Sequence, residues 1–179
     1  KNLLMKIITH FEKPVKKDIF FYEVQLDPFD ENYFIEKIEE GVRHENNNNF
    51  KTSLSGQMTS FEFFLNDKPL ELILKEFLRQ IKFERPWGIK LVEAWGIKLV
   101  KNDFTNFHDH IERSYSGILY LSKSTTPLIF PELNKKIYPE KYKMLFFNAF
   151  LLHGSDRLKD EKKYGIAYNF ALNKHYLPT

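Results

Sequence analysis

The sequence predicts an α+β fold in which helices from the first part of the chain (residues 1–86) pack on the outside of an antiparallel β core built by the rest (residues 87–179). Three observations carry that reading. Before residue 86, apolar residues recur at helical spacing in two stretches. From Trp87 onward they come instead in short runs separated by turn-forming residues, the texture of a sandwich or barrel. The chain has 179 residues, 42% of them hydrophobic, which is the size and composition of a single domain around one core.

The elements follow in order. Lys17 to Val24 contains Ile19, Phe20, Phe21, Tyr22 and Val24, β-branched and aromatic residues that favour a strand, and stops at Asp27-Pro28. Asp30 is placed to cap a helix with Phe34, Ile35 and Ile38 on one side and Glu36, Glu39 and Glu40 on the other. Gly41 falls where a left-handed C-terminal residue fits. The four asparagines Asn46 to Asn49 predict a loop. Asp67 and Pro69 open a second helix, in which Leu70, Ile73, Leu74, Phe77, Leu78 and Ile81 form one apolar face suited to a sheet. The β core is expected at Trp95 to Val100, Tyr115 to Leu121, Pro127 to Phe130, Lys143 to Phe147 and Tyr164 to Leu172. Within it Trp-Gly-Ile-Lys-Leu-Val occurs twice, at 87–92 and 95–100. The offset of eight residues is even, so a regular strand would turn both copies to the same face.

Composition excludes several classes of function. Lys plus Arg number 27 against 24 for Asp plus Glu, and a net charge of +3 gives little pull toward nucleic acid. With no Cys there are no disulfides, thiolate metal sites or cysteine nucleophiles, so any metal must use His and carboxylate. The longest apolar stretch, Met144 to Leu152, is broken by Asn148 and is far short of the roughly 20 residues of a membrane span. Neither a phosphate-binding glycine loop nor a Gly-x-Ser-x-Gly elbow is present. The chain begins at Lys1 without Met, which leaves room for a preceding segment or a cleaved leader. Cytoplasm is the default expectation.

Three of the six histidines are placed for chemistry. His108 and His110 are two apart, so on an extended segment both rings share a face, with Glu112 next along it. His153 ends the apolar run from Leu145 to Leu152, where a buried imidazole needs a partner. Each has an ordinary reading as well, a solvated strand end for the pair and a hydrogen-bonded core residue for His153. In a double-sheet jelly roll, however, a pair of His-x-His or His-x-carboxylate form at a strand end and a distant His on a facing strand can converge on one metal and leave other coordination positions open.

The order of these pieces is similar to a known family. His108-x-His110, then Ser116-Gly117-Ile118-Leu119-Tyr120-Leu121, then Phe146-Phe147-Asn148 with His153, then Tyr168-Asn169-Phe170 resembles the iron(II)- and 2-oxoglutarate-dependent oxygenases, in particular small oxygenases of marine bacteria and their phages. The likeness runs from about Trp95 to the end. It implies a double-stranded β-helix core of the jelly-roll or cupin type, with Fe(II) held by three side chains, 2-oxoglutarate chelating the iron, and O2 taking the last position. Carried over, it makes His108, His110 and His153 the metal ligands. In the alternative register His110 is the first ligand and Glu112 supplies the carboxylate usual in the superfamily.

The resemblance further implies a cation for the far carboxylate of 2-oxoglutarate, about ten residues past the distal His. Lys163 stands there, where the family more often has Arg. Tyr120 resembles a cosubstrate-binding tyrosine of prolyl hydroxylases; Arg157, only four residues past His153, is expected in the turn, and Arg113 is a further candidate cation if the pocket is built differently. The expected function is a non-haem dioxygenase that converts 2-oxoglutarate to succinate while hydroxylating an unidentified substrate, with that small-molecule cosubstrate as partner and neither nucleic acid nor membrane. Two other readings stand beside it: a cupin-like metal enzyme that does not use 2-oxoglutarate, favoured by an all-His ligand set, and a jelly-roll binding or structural module.

Overall fold

The computed structural model describes residues 5–15, 17–44, 53–81 and 88–172. Among these, eleven strands and two α-helices follow in the order β1 (Met5–Val15), β2 (Lys17–Leu26), α1 (Glu31–His44), β3 (Gln57–Met58), α2 (Lys68–Gln80), β4 (Ile89–Val100), β5 (Thr105–His108), β6 (Tyr115–Tyr120), β7 (Leu128–Phe130), β8 (Lys135–Ile137), β9 (Lys143–Asn148), β10 (His153–Ser155) and β11 (Lys162–Leu172). Seven strands make a major sheet in the order β1-β2-β9-β6-β11-β4-β3, and four make a minor sheet, β5-β10-β7-β8; every pairing is antiparallel. The core is a double-stranded β-helix, and the alternation along β9 shows how it is filled. Leu145 and Phe147 point between the sheets to Phe21, Leu128 and Phe130, while Met144 and Phe146 point outward into the helical layer.

Both helices form as their periodicity predicts. The Asp30 carboxylate accepts from the Tyr33 amide at the start of α1. The Asp67 carboxylate caps α2 by accepting from the Leu70 amide at 3.0 Å. Leu70, Ile73, Leu74, Phe77 and Leu78 are buried against the major sheet, with the Phe77 and Phe146 rings 5.5 Å apart.

Four expectations change. The first part of the chain is less helical than predicted, because β2, the strand expected at Lys17 to Val24, is preceded by a further strand, β1, and their long hairpin extends the major sheet at β9. Gly41 does not end α1; it lies inside the helix, where a Cβ would come within 2.7 Å of the Thr59 methyl and 2.9 Å of the Phe63 ring, so its place is set by close packing and not by a left-handed turn. Glu39, on the polar side of α1, is not left to solvent, since it pairs with Lys98 on β4 at 2.8 Å and accepts a hydrogen bond from Tyr164. Finally, the duplicated hexapeptides do not present the same faces. Asn169 pairs with Glu93 and Phe170 with Leu91, which leaves Val92, the last residue of the first copy, as a bulge. The bulge inverts the alternation, so Ile89 and Leu91 pack under the helices whereas Ile97 and Leu99 line the space between the sheets. Trp87 and the loop predicted at Asn46 to Asn49 lie outside the described residues.

Candidate metal centre and anion pocket

Strand pairing creates the centre. His108 closes β5 and is the register partner of His153, which opens β10, so the antiparallel ladder brings together residues 45 positions apart and sets their rings at 4.4 Å. Past the end of β5 the chain leaves the extended conformation. The His110 amide donates to the Ala149 carbonyl at 2.8 Å, and the ring settles 4.9 Å from that of His108 and 5.4 Å from that of His153. One ring nitrogen from each of the three lies within 4.8 Å of the others. Ligand nitrogens about 2.1 Å from one ion stand roughly 3 Å apart, so small side-chain rotations are enough to close this set on a cation.

The protonation chemistry suits ligation. His108 Nδ1 faces the Asn106 carbonyl at 2.8 Å and His153 Nδ1 faces the Leu151 carbonyl at 2.9 Å. A carbonyl only accepts, so each Nδ1 carries the hydrogen and each Nε2 keeps its lone pair for a ligand. Burial, reinforced by mutual repulsion, lowers His153 to about 3 and His110 to about 4, and burial lowers His108 as well. All three are neutral at pH 7. Phe147 and Phe130 pack on His153 at 5.1 and 5.7 Å and keep its side of the site apolar. Glu112 does not join the cluster. Residues 111–114 turn back instead of continuing β5, and its side chain is 87% exposed.

A cavity of about 480 Å³ between the sheets is lined by the three histidines and by Tyr120 and Lys163. Lys163 is only 6% exposed, and among the described residues no carboxylate lies within ion-pairing distance of it. Burial depresses its ammonium to about 8 despite the attraction of Asp160. Among the described residues two buried side-chain polar atoms have no hydrogen-bond partner, the Tyr120 hydroxyl and Asn169 Oδ1, and both residues line this cavity. An uncompensated buried cation and an unused buried hydroxyl fit an anion. The other candidate cations are engaged elsewhere. Arg157 donates to the Asn102 carbonyl and stacks over Phe104, while Arg113 binds Glu93.

Glu93 carries no motif, yet it lines the cavity beside Asn169. Burial raises the Glu93 carboxyl, but hydrogen bonds from Arg113 and Asn169 outweigh it and hold the group below its ordinary range. The available signal was a lone acid inside the apolar run Leu91-Val92-Glu93-Ala94-Trp95, since a charge in a buried strand requires a partner.

No family sequence model matches the chain, and no curated protein matches it. Solved structures do. The viral collagen prolyl hydroxylase of Paramecium bursaria Chlorella virus-1, in its 2-oxoglutarate complex, superposes with a TM-score of 0.64 at 16% identity over 85% of this chain and 96% of its own. HygX from Streptomyces hygroscopicus, with nickel and 2-oxoglutarate bound, gives 0.63 at 11% identity over 86% and 83%. A Pseudomonas putida prolyl-4-hydroxylase gives 0.57 at 14% identity over 80% and 86%. Among the described residues no helix is long and apolar enough to cross a membrane. The chain therefore has the fold of the 2-oxoglutarate and Fe(II) oxygenases, as the order of its motifs predicts.

Proposed function

We propose that the protein is a non-haem Fe(II)- and 2-oxoglutarate-dependent dioxygenase. The balanced reaction takes 2-oxoglutarate, O2 and a C–H bond of the primary substrate to succinate, CO2 and the hydroxylated product. Bound iron, with cosubstrate and O2, supplies the oxidising chemistry. The protein's own groups bind and orient. His108, His110 and His153 offer three neutral nitrogens on one side of the cavity, leaving the remaining positions open to exchangeable ligands. Lys163 and the Tyr120 hydroxyl receive the far carboxylate of 2-oxoglutarate, the ammonium as a point charge and the phenol as a hydrogen-bond donor. Apolar walls from Phe147 and Ile118 limit water around the reacting centre.

The observation that carries this reading is the coexistence, in one cavity, of a three-imidazole cluster and an unpaired buried lysine. The cluster by itself suits many cations, and the lysine by itself suits many anions. Together they match a divalent cation and a dianion that bridges from it. The test is anaerobic addition of Fe(II) and 2-oxoglutarate, which should give a metal-to-ligand charge-transfer band, followed by O2, which should release succinate. One observation favours a second reading. With Glu112 turned to solvent, the donor set is all imidazole, as a cupin-like metal enzyme that does not use 2-oxoglutarate would have it. Iron binding without the band would select that alternative.

A further inference from the structure

Of the three imidazoles, His110 is held least by its own ring. Carbonyls fix the rings of His108 and His153, and Phe130 and Phe147 pack on His153. The His110 ring makes no hydrogen bond among the described residues, and Trp95, at 6.2 Å, is its neighbour outside the cluster. It also sits beyond the end of β5, on a turn closed by the Arg113 amide donating to the His110 carbonyl at 2.7 Å.

A polar chain ties that turn to the major sheet. From Arg113, Nε donates to Glu93 Oε2 at 3.1 Å and Nη2 to Oε1 at 2.6 Å, a two-pronged contact with β4. From β11, Asn169 Nδ2 donates to Glu93 Oε2 at 2.7 Å. Such a fork fixes orientation as well as distance, which a single bond does not. With hydrogen bonds to both oxygens, the Glu93 carboxylate is held in one orientation.

We propose that Glu93 and Arg113 are positioning residues for His110. Their ion pair clamps the 110–113 turn against β4 and so aims the third imidazole at the other two, while Asn169 locks the carboxylate that holds the clamp. The inference rests on reading the imidazoles as a metal site.

The full-length protein is titrated with Co(II), read by visible d–d absorption and by competition with a chelator. Arg113→Ala and the nearly isosteric Glu93→Gln should each weaken Co(II) binding roughly 10- to 100-fold, the range found when an outer partner of a ligand is lost, and alter the band shape. Arg113→Lys keeps the charge without the fork and should not restore the wild-type spectrum. Lys98→Ala is the control. It removes the pair with Glu39 at 2.8 Å on the opposite face of β4, and should lower the urea midpoint of the metal-free protein while leaving the Co(II) spectrum unchanged. Affinities within about twofold of wild type in both Arg113→Ala and Glu93→Gln would overturn the clamp, as would an equal loss in Lys98→Ala. A wild-type protein that binds no Co(II) removes the metal site itself and the clamp with it. Binding in the wild type with unaffected variants removes the clamp alone.

Discussion

Replacing Lys163 by Met should make the ligand-free protein more stable and less able to bind 2-oxoglutarate. The ammonium is buried with no carboxylate partner among the described residues, and burial lowers it from the ordinary 10.5 to about 8. At about 1.4 kcal/mol for each tenfold change in proton affinity, that fall means the charged side chain costs the native state about 3 kcal/mol at pH 7. Methionine has a similar length and no charge, so it should recover most of this. The sign of the pH dependence is fixed. Between pH 8 and 10.5 the unfolded chain binds more protons at this lysine than the native one, so wild-type stability rises with pH in that window. The advantage of Lys163→Met should be full below pH 8 and gone by about pH 10.5. Urea unfolding of both proteins at pH 7 and pH 10 measures it, and subtracting the two cancels every other titrating group. Thermal shifts with 2-oxoglutarate and a divalent metal supply the second arm, since a ligand stabilises only what it binds. A variant no more stable than wild type would refute the burial argument. A stabilised variant with undiminished affinity for 2-oxoglutarate would refute the assignment of Lys163 to the anion.

Three further outcomes are expected. His153→Ala should abolish detectable Co(II) or Fe(II) binding, because this residue is the buried member of the three-imidazole cluster and the register partner of His108; isothermal titration calorimetry on the purified variant decides it. Glu112→Gln should bind metal as wild type does, since the exposed carboxylate lies outside the cluster, and a tenfold loss of affinity in the same assay would restore the carboxylate register. Phe77→Ala, at a fully buried position against Phe146, should cost about 3–5 kcal/mol in chemical denaturation without changing the metal spectrum.

Local chemistry was the legible part of the sequence. Helix α2 was readable because cap, proline and apolar stripe all agree, and β9 and β11 because their apolar runs are long and bounded by turns. The three histidines were legible as residues, through the order of motifs in which they lie. What brings them together was not: the pairing of His108 with His153 is a property of ladder register across 45 positions, which no window of sequence contains. The same limit hid the Val92 bulge, whose effect is to turn a duplicated peptide to two different faces, and the placement of Glu93 beside Arg113. Glu112 was misplaced for a simpler reason. Its expected face assumed an extended chain beyond His110, whereas the Arg113 amide folds back on the His110 carbonyl.

The charge of the cavity gives the all-imidazole donor set a physical sense. Three neutral nitrogens leave the full double charge on a divalent ion, where a carboxylate ligand would have cancelled half of it. The nearby acid does not make up the difference, because Glu93 is already neutralised by Arg113. Lys163 adds a further positive charge on the same cavity, with no carboxylate paired to it among the described residues. A monoanion leaves two of these three positive charges standing, whereas a dianion with one carboxylate toward the imidazoles and the other toward Lys163 would leave one, neutralising the ammonium and halving the charge at the metal. The depressed basicity of Lys163 belongs to the ligand-free cavity, since a carboxylate beside the ammonium favours its charged form and raises it again. On the proposed function, the strain of burying that lysine would be relieved by the same ligand that meets a cation on the imidazole cluster, and a single dicarboxylate would couple the two ends of the site.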